Sequence, residues 1–158
     1  MNDTTLLNKN LNLQAYFWLL FPITLGMGSS FFIPKNKIPR VRSKWSPPGW
    51  VFGIVWPILY LLLGYASYLV WKENKEKIND ILQIYIIHVL LLSLWWINFA
   101  SSPNGNFATF TLFLLVVNAL YIGIEFYAIN KTAGQCFIPY ILWLIFATFL
   151  TSQTIKYN

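Results

Sequence analysis

Two side chains that carry charge near neutral pH fall inside the long apolar stretches of this 158-residue chain, His88 and Glu125. Such groups are costly in an apolar medium, so they are the first places to look for chemistry. His88 is the sole histidine, and one imidazole without a second ligand or an acid beside it builds neither a metal site nor a Ser/His/Asp triad. It is expected to be hydrogen-bonded in the interior. Glu125 stands near the end of its apolar stretch, within reach of polar headgroups. The single cysteine, Cys136, can form neither an internal disulfide nor a metal cluster alone. Phosphate-loop and dinucleotide fingerprints are missing from the sequence. No catalytic residue of a conventional kind, no metal and no cofactor is therefore assigned.

The remaining chemistry is aromatic. Trp56, the adjacent pair Trp95 and Trp96, and Trp143 stand at intermediate depths of three different apolar stretches. If these converge, they make a flat, electron-rich slot with indole N–H donors for a carbonyl or carboxylate. Planar apolar ligands such as porphyrins suit that description; ordinary packing of bulky side chains is the alternative reading.

The elements that position these rings follow from composition. The chain is 57% hydrophobic, only 10% charged and carries a net charge of +6, whereas soluble domains average about 25% charged residues. This is the composition of an integral membrane protein. No charged residue interrupts Trp45–Trp71, long enough for a helix to cross roughly 30 Å of hydrocarbon. A further uncharged stretch runs from Ile81 to Ile124, too long for one span, and the turn formers Ser101-Ser102-Pro103-Asn104-Gly105-Asn106 divide it. Five transmembrane helices are predicted, over about 12–33, 47–71, 80–100, 107–129 and 134–156, in one all-α domain covering 1–158. Pro22, Gly26 and Gly28 fall in the first span, where small residues permit close helix approach. The amino terminus lacks the basic region of a signal peptide, so the first span is expected to be retained.

The excess of positive charge is concentrated in Lys35, Lys37, Arg40, Arg42 and Lys44, within the loop 34–46. Basic residues beside membrane spans report topology or anionic headgroups, and without interleaved aromatics they do not indicate nucleic acid. By count the two sides are nearly balanced, but the density of this loop points it to the cytosol. No internal repeat is visible, and five spans do not divide into two equal inverted halves, which disfavours an alternating-access carrier within one chain.

The loop leads into Trp45-Ser46-Pro47-Pro48-Gly49-Trp50-Val51-Phe52-Gly53-Ile54-Val55-Trp56-Pro57-Ile58-Leu59-Tyr60. The prolines suit the first turn of a helix, placing its start near Pro47, and Trp45 and Trp50 fall near its mouth, where aromatic rings favour the membrane interface. Gly49 and Gly53 form a small-xxx-small pair, assigned to packing within the chain. This pattern resembles the tryptophan-rich sensory protein or translocator protein family. Gly64–Glu73 and Pro139–Thr148 resemble later blocks of the same family, in the same order.

The resemblance implies a ligand pocket between the helices, beneath a first loop that folds over it as a lid. It implies porphyrins, sterols or synthetic benzodiazepine-type drugs as ligands, and sensing, sequestration or transport as the role. Matching motif positions are Trp45, Trp50, Trp56, Tyr60, Trp143 and Ala147. The chain departs from the family in the lid, where Asn36-Lys37 and Arg42-Ser43 replace a Trp-Tyr and a Lys-Pro pair. It departs again where members carry a pocket asparagine, since here Leu92 stands there, followed by Ser93. Some members degrade porphyrin with light, which makes an enzyme using Trp56 and Trp143 the second reading. Family members tend to dimerise, so a homodimer is expected. In eukaryotic members the membrane is the mitochondrial outer membrane. The sterol-binding pattern of animal members is absent from the fifth helix here, though Leu63…Tyr68…Lys72 fits it.

Overall fold

The periodicity of the apolar residues explains how the helices meet. The computed structural model describes residues 3–31, 45–73, 78–101 and 105–155, in five helices: α1 (Asp3–Phe31), α2 (Gly49–Lys72), α3 (Ile78–Ser101), α4 (Gly105–Ile129) and α5 (Lys131–Ile155). Leu59, Leu63, Ala66 and Val70 on α2, Leu112, Leu115, Ala119, Ile122 and Phe126 on α4, and Ala133, Phe137, Tyr140 and Leu144 on α5 are all buried. Each set recurs every three or four residues, so it forms a single face of its helix. The residues between them, such as Phe110, Phe113, Val117, Leu120 and Ile124, are equally apolar yet exposed. A helix apolar on every side is stable only where its outer face also meets an apolar medium.

That medium is the bilayer. Gly49–Lys72, Ile78–Phe99, Asn106–Ile129 and Lys131–Gln153 are long and apolar enough to cross it. Helix α1 is less apolar, opening on Asp3 and carrying Gln14, Pro22, Thr24 and Ser29. It begins some nine residues before the expected span, because a helix leaving the membrane can continue into water without breaking. Going round the bundle, the helices follow the order α1, α2, α5, α4, α3, which closes back on α1.

Small residues set the closest crossings. A Cβ on Gly64 would collide with the backbone carbonyl of Leu19, and one on Gly26 would run into the ring of Tyr60. Ser67 fastens the same crossing, its hydroxyl 3.1 Å from the Trp18 carbonyl and 3.0 Å from that of Gly64. Two of the expected packing glycines do not serve this purpose. Gly53 is exposed, and a Cβ on Gly53 or Gly28 would meet nothing within 4 Å. The helical spacing puts Gly53 on the outward side of α2, so the small-xxx-small pair is not a packing face within the described chain.

The helix boundaries also have local causes. Pro48, at φ −55° and ψ 145°, is the N-cap of α2, and its carbonyl accepts the Val51 N–H at 3.0 Å. The start falls at Gly49, beyond Pro47, because a residue that precedes proline is held out of the α conformation. Between α4 and α5 the whole connection is Asn130. Its N–H donates to the Phe126 carbonyl at 2.7 Å, its carbonyl accepts from Gly134 N–H at 3.2 Å, and its side-chain oxygen accepts from Ala133 N–H at 3.2 Å. One residue thus satisfies backbone groups at both helix ends. Its amide then donates to Glu73 at 2.9 Å, tying the junction to the end of α2. Residues 34–44 of the expected lid, the centre of the 72–77 turn and Lys156-Tyr157 lie outside the described residues.

Candidate functional site

Trp56, Trp95 and Trp143 come from α2, α3 and α5, and the bundle brings all three together. The centroid of the Trp56 ring is 6.2 Å from Trp95 at an interplanar angle of 35°, and 6.4 Å from Trp143 at 88°. Both are within the separations at which aromatic pairs attract. Tyr60, one turn deeper on α2, stacks on Trp56 at 5.6 Å and is seated against Gly26. Trp96 joins through Trp95 at 5.9 Å. Trp95 is only 5% exposed, whereas Trp56, Trp96 and Trp143 are half-buried. The site is therefore a contacting set of rings, three of them half-buried, and a flat ligand between them would have to part them.

The polar atoms of this group are distinctive. The Nε1–H groups of Trp95 and Trp143 are buried, and neither has a hydrogen-bond partner. A buried donor left unpaired costs about 1–3 kcal/mol, and most such groups in folded proteins are satisfied. Two of them, on α3 and α5 and both within the ring cluster, offer an acceptor two places to bind.

The other expected site residues divide. Leu92 is buried one turn before Trp95 and Trp96, and Ala147 is buried one turn after Trp143. Ser93 is also buried, but its hydroxyl is engaged by the Val89 carbonyl of its own helix at 3.0 Å. Trp45 and Trp50 lie outside the ring cluster, each 68% exposed at the mouth of α2, as interfacial anchors would be.

Three phenylalanines belong to the site that sequence reasoning did not select. Phe52 meets Trp143 edge-on at 5.6 Å, Phe99 stacks on Trp95 at 5.6 Å, and Phe146 lies 5.5 Å from Trp143. Phe99 and Phe146 stand one helical turn from the tryptophans they touch, a spacing that was visible in advance. Phe52, by contrast, reaches across from α2 to α5.

Deeper in the bundle, His88 is hydrogen-bonded as expected, and its partners are now identified. Nδ1 lies 2.9 Å from Oδ1 of Asn118 on α4, and Nε2 lies 2.7 Å from the hydroxyl of Tyr140 on α5. An amide oxygen only accepts, so Nδ1 carries the proton and Nε2 receives the phenolic hydrogen. Asn118 is an isolated amide in an otherwise apolar run, which was the sequence signal for it. Tyr85 makes a separate tie, its hydroxyl donating to the Leu63 carbonyl at 3.0 Å. Among the described residues no cluster of His, Cys, Asp or Glu could hold a metal ion.

Comparison with known proteins agrees with this architecture. Residues 18–156 match the model of the TspO/MBR family. The chain is 35% identical over 112 residues to the human Translocator protein, an alignment covering 69% of this chain and 66% of that one. It is 32% identical over 141 residues to mouse Translocator protein 2, with 84% of each covered. To the Tryptophan-rich protein TspO of Chlorobaculum tepidum it is 26% identical over 144 residues, covering 86% of this chain and 90% of that one. With its apolar helices and its tryptophans gathered where three of them meet, the chain is a multi-pass membrane protein and belongs to the TspO/MBR family.

Proposed function

We propose that this protein binds a planar, largely apolar ligand with a hydrogen-bond acceptor on its edge, of the porphyrin class, against the Trp56–Trp95–Trp143 cluster. The observation that carries this reading is the pair of unpartnered, buried indole N–H groups on Trp95 and Trp143. A packing cluster has no need of free donors, and leaving them unpaired is destabilising. A carboxylate or carbonyl entering the cluster satisfies them, while the ring faces of Trp56 and Phe52 cover the flat body of the ligand. The half-buried rings of Trp56, Trp96 and Trp143 supply the way in. Trp56 lies about 10 Å along α2 from its start, on the side of the bundle from which the first loop departs.

Some of the relatives are named Translocator protein, and a ligand held within a helix bundle suits sensing, sequestration or transport alike. Binding is the common step. Leu92 in place of an amide leaves the wall beside Trp95 and Trp96 apolar, so the preference is for ligands whose polar groups are confined to one edge.

The test is quenching of tryptophan fluorescence by protoporphyrin IX in the lipid-reconstituted protein, compared with Trp56→Phe and Trp143→Phe. Saturable quenching that weakens in both variants supports the site. An equal apparent affinity in all three proteins would mean partition into lipid and would overturn the reading.

A further inference from the structure

The phenol of Tyr140, its hydrogen bond to His88 and the tryptophans above it form a sequence of groups that binding alone does not use. Tyr140 and His88 are both fully buried, 2.7 Å apart between hydroxyl and Nε2. Asn118 holds Nδ1–H, which leaves the Nε2 lone pair facing the phenolic proton. Tyr140 is one helical turn before Trp143 on α5, so the two side chains are neighbours on the helix surface. Trp143 meets Trp56, and Trp56 meets Trp95. The ring contacts of the cluster thus end at Trp143, one helical turn along α5 from a phenol whose proton already points at a base.

We propose that Tyr140 and His88 form a redox-active pair that receives an oxidising equivalent from the tryptophan cluster. This rests on the ligand reading above, because the oxidant is a photo-excited porphyrin bound at the cluster. The excited porphyrin takes one electron from an indole and becomes its radical anion, leaving an indole radical cation. Tyr140 then gives one electron to that indole while its phenolic proton moves to His88 Nε2. The products are a restored indole, a neutral tyrosyl radical and an imidazolium. One electron and one proton have moved, and the single positive charge has passed from indole to imidazole.

The base matters because an oxidised phenol is a strong acid. A phenol that lost only an electron would be a radical cation, far harder to form than a neutral tyrosyl radical. Transfer of the proton over 2.7 Å to an imidazole that holds it well avoids that species, and the one positive charge rests on His88. Asn118 is a positioning residue in this scheme, since its oxygen fixes the tautomer that leaves Nε2 free to accept.

The experiment is electron paramagnetic resonance on the lipid-reconstituted full chain, carried out two ways. In one, protoporphyrin IX is added and the sample is illuminated and frozen. In the other, no ligand is present, the indoles are photo-ionised by an ultraviolet flash and hexaamminecobalt(III) takes up the ejected electrons. Each is repeated with ring-deuterated tyrosine and with ring-deuterated tryptophan, which identifies the radical without any substitution. The expected result is a neutral tyrosyl signal that narrows only with labelled tyrosine. It should be lost in Tyr140→Phe and lose most of its intensity in His88→Gln, where the amide can accept a hydrogen bond but cannot take up the proton.

A purely structural hydrogen bond would leave the radical on tryptophan, or on other tyrosines in equal yield in all three proteins. Either result in the ultraviolet experiment overturns the pair. A Tyr140-dependent signal there, together with unsaturable porphyrin quenching, would uphold the pair and remove porphyrin binding as its source of oxidant.

Discussion

Two buried aromatic regions of this bundle use polar atoms in opposite ways. At the level of His88, every ring nitrogen and hydroxyl has a partner, and α3, α4 and α5 are fastened through the contacts of His88 with Asn118 and Tyr140. At the level of Trp56, the rings of α2, α3 and α5 touch, yet the two buried indole donors have none. The first region is complete in the chain itself. The second leaves two donors unpaired, and that difference is what the proposed ligand site rests on.

Substitutions can break or sharpen this contrast. The largest expected effect is on the complete region: Tyr140→Ala removes a fully buried ring and strands the His88 nitrogen, which should lower stability by about 3–5 kcal/mol. Thermal unfolding in detergent micelles would show it as a clear fall in Tm. His88→Leu keeps the volume but leaves the hydroxyl of Tyr140 and the amide of Asn118 unsatisfied. Interhelical hydrogen bonds in membranes are worth about 0.6–1.7 kcal/mol each, so a loss of about 1–3 kcal/mol is expected in the same measurement.

The incomplete region should respond in the other observable. Trp95→Phe and Trp143→Phe delete donors that are unpaired in the free protein, so stability should change by less than about 1 kcal/mol or even rise. Their cost should appear in porphyrin affinity, about fivefold to tenfold per lost hydrogen bond by titration. A large Tm loss with unchanged affinity would reverse the assignment of the two regions. Leu92→Asn adds an amide to the wall beside the cluster, and should raise affinity for ligands with a second polar edge by a few-fold. Trp50→Ala, at an exposed position outside the cluster, should shift either observable by no more than about 0.5 kcal/mol.

Much of the fold was legible because membrane helices announce themselves. Uninterrupted apolar stretches and turn formers such as Ser101–Asn106 marked five helices, and the ends of α2 to α5 fall within a few residues of expectation. From their depth Trp56, Trp95, Trp96 and Trp143 could converge, and the family resemblance marked them as a site; the structure brings Trp56 against Trp95 and Trp143, and Trp96 against Trp95. Trp45 and Trp50 belong to the same motif and stand exposed at the mouth of the helix, as their place at its start implied. The motif did not tell which of its residues would meet rings of other helices, since it records adjacency along one chain segment.

Side-chain partners across helices were the illegible part. His88 was expected to be satisfied, but a spacing of 30 residues to Asn118 and 52 to Tyr140 carries no local signal. Gly53 was assigned to packing within the chain and proved to face outwards, whereas Gly64, which went unremarked as a contact, touches the backbone of α1. Both outcomes depend on which helix lies beside α2, and that order is a property of the closed ring of helices.

By itself, the sequence determined that the chain must be helical and membrane-embedded, because an apolar medium leaves backbone groups no partners except their own helix. It also determined that aromatic rings, with no pair of conventional acid, base or metal-ligand residues in one apolar stretch, are what a ligand site could be built from. Only the tertiary structure decided which of those rings meet, which polar atoms are satisfied and which are left waiting. Hydrophobicity and helix formation act along the chain or against the solvent, whereas hydrogen bonding between side chains is short-ranged and directional, and exists only once five helices have taken their places.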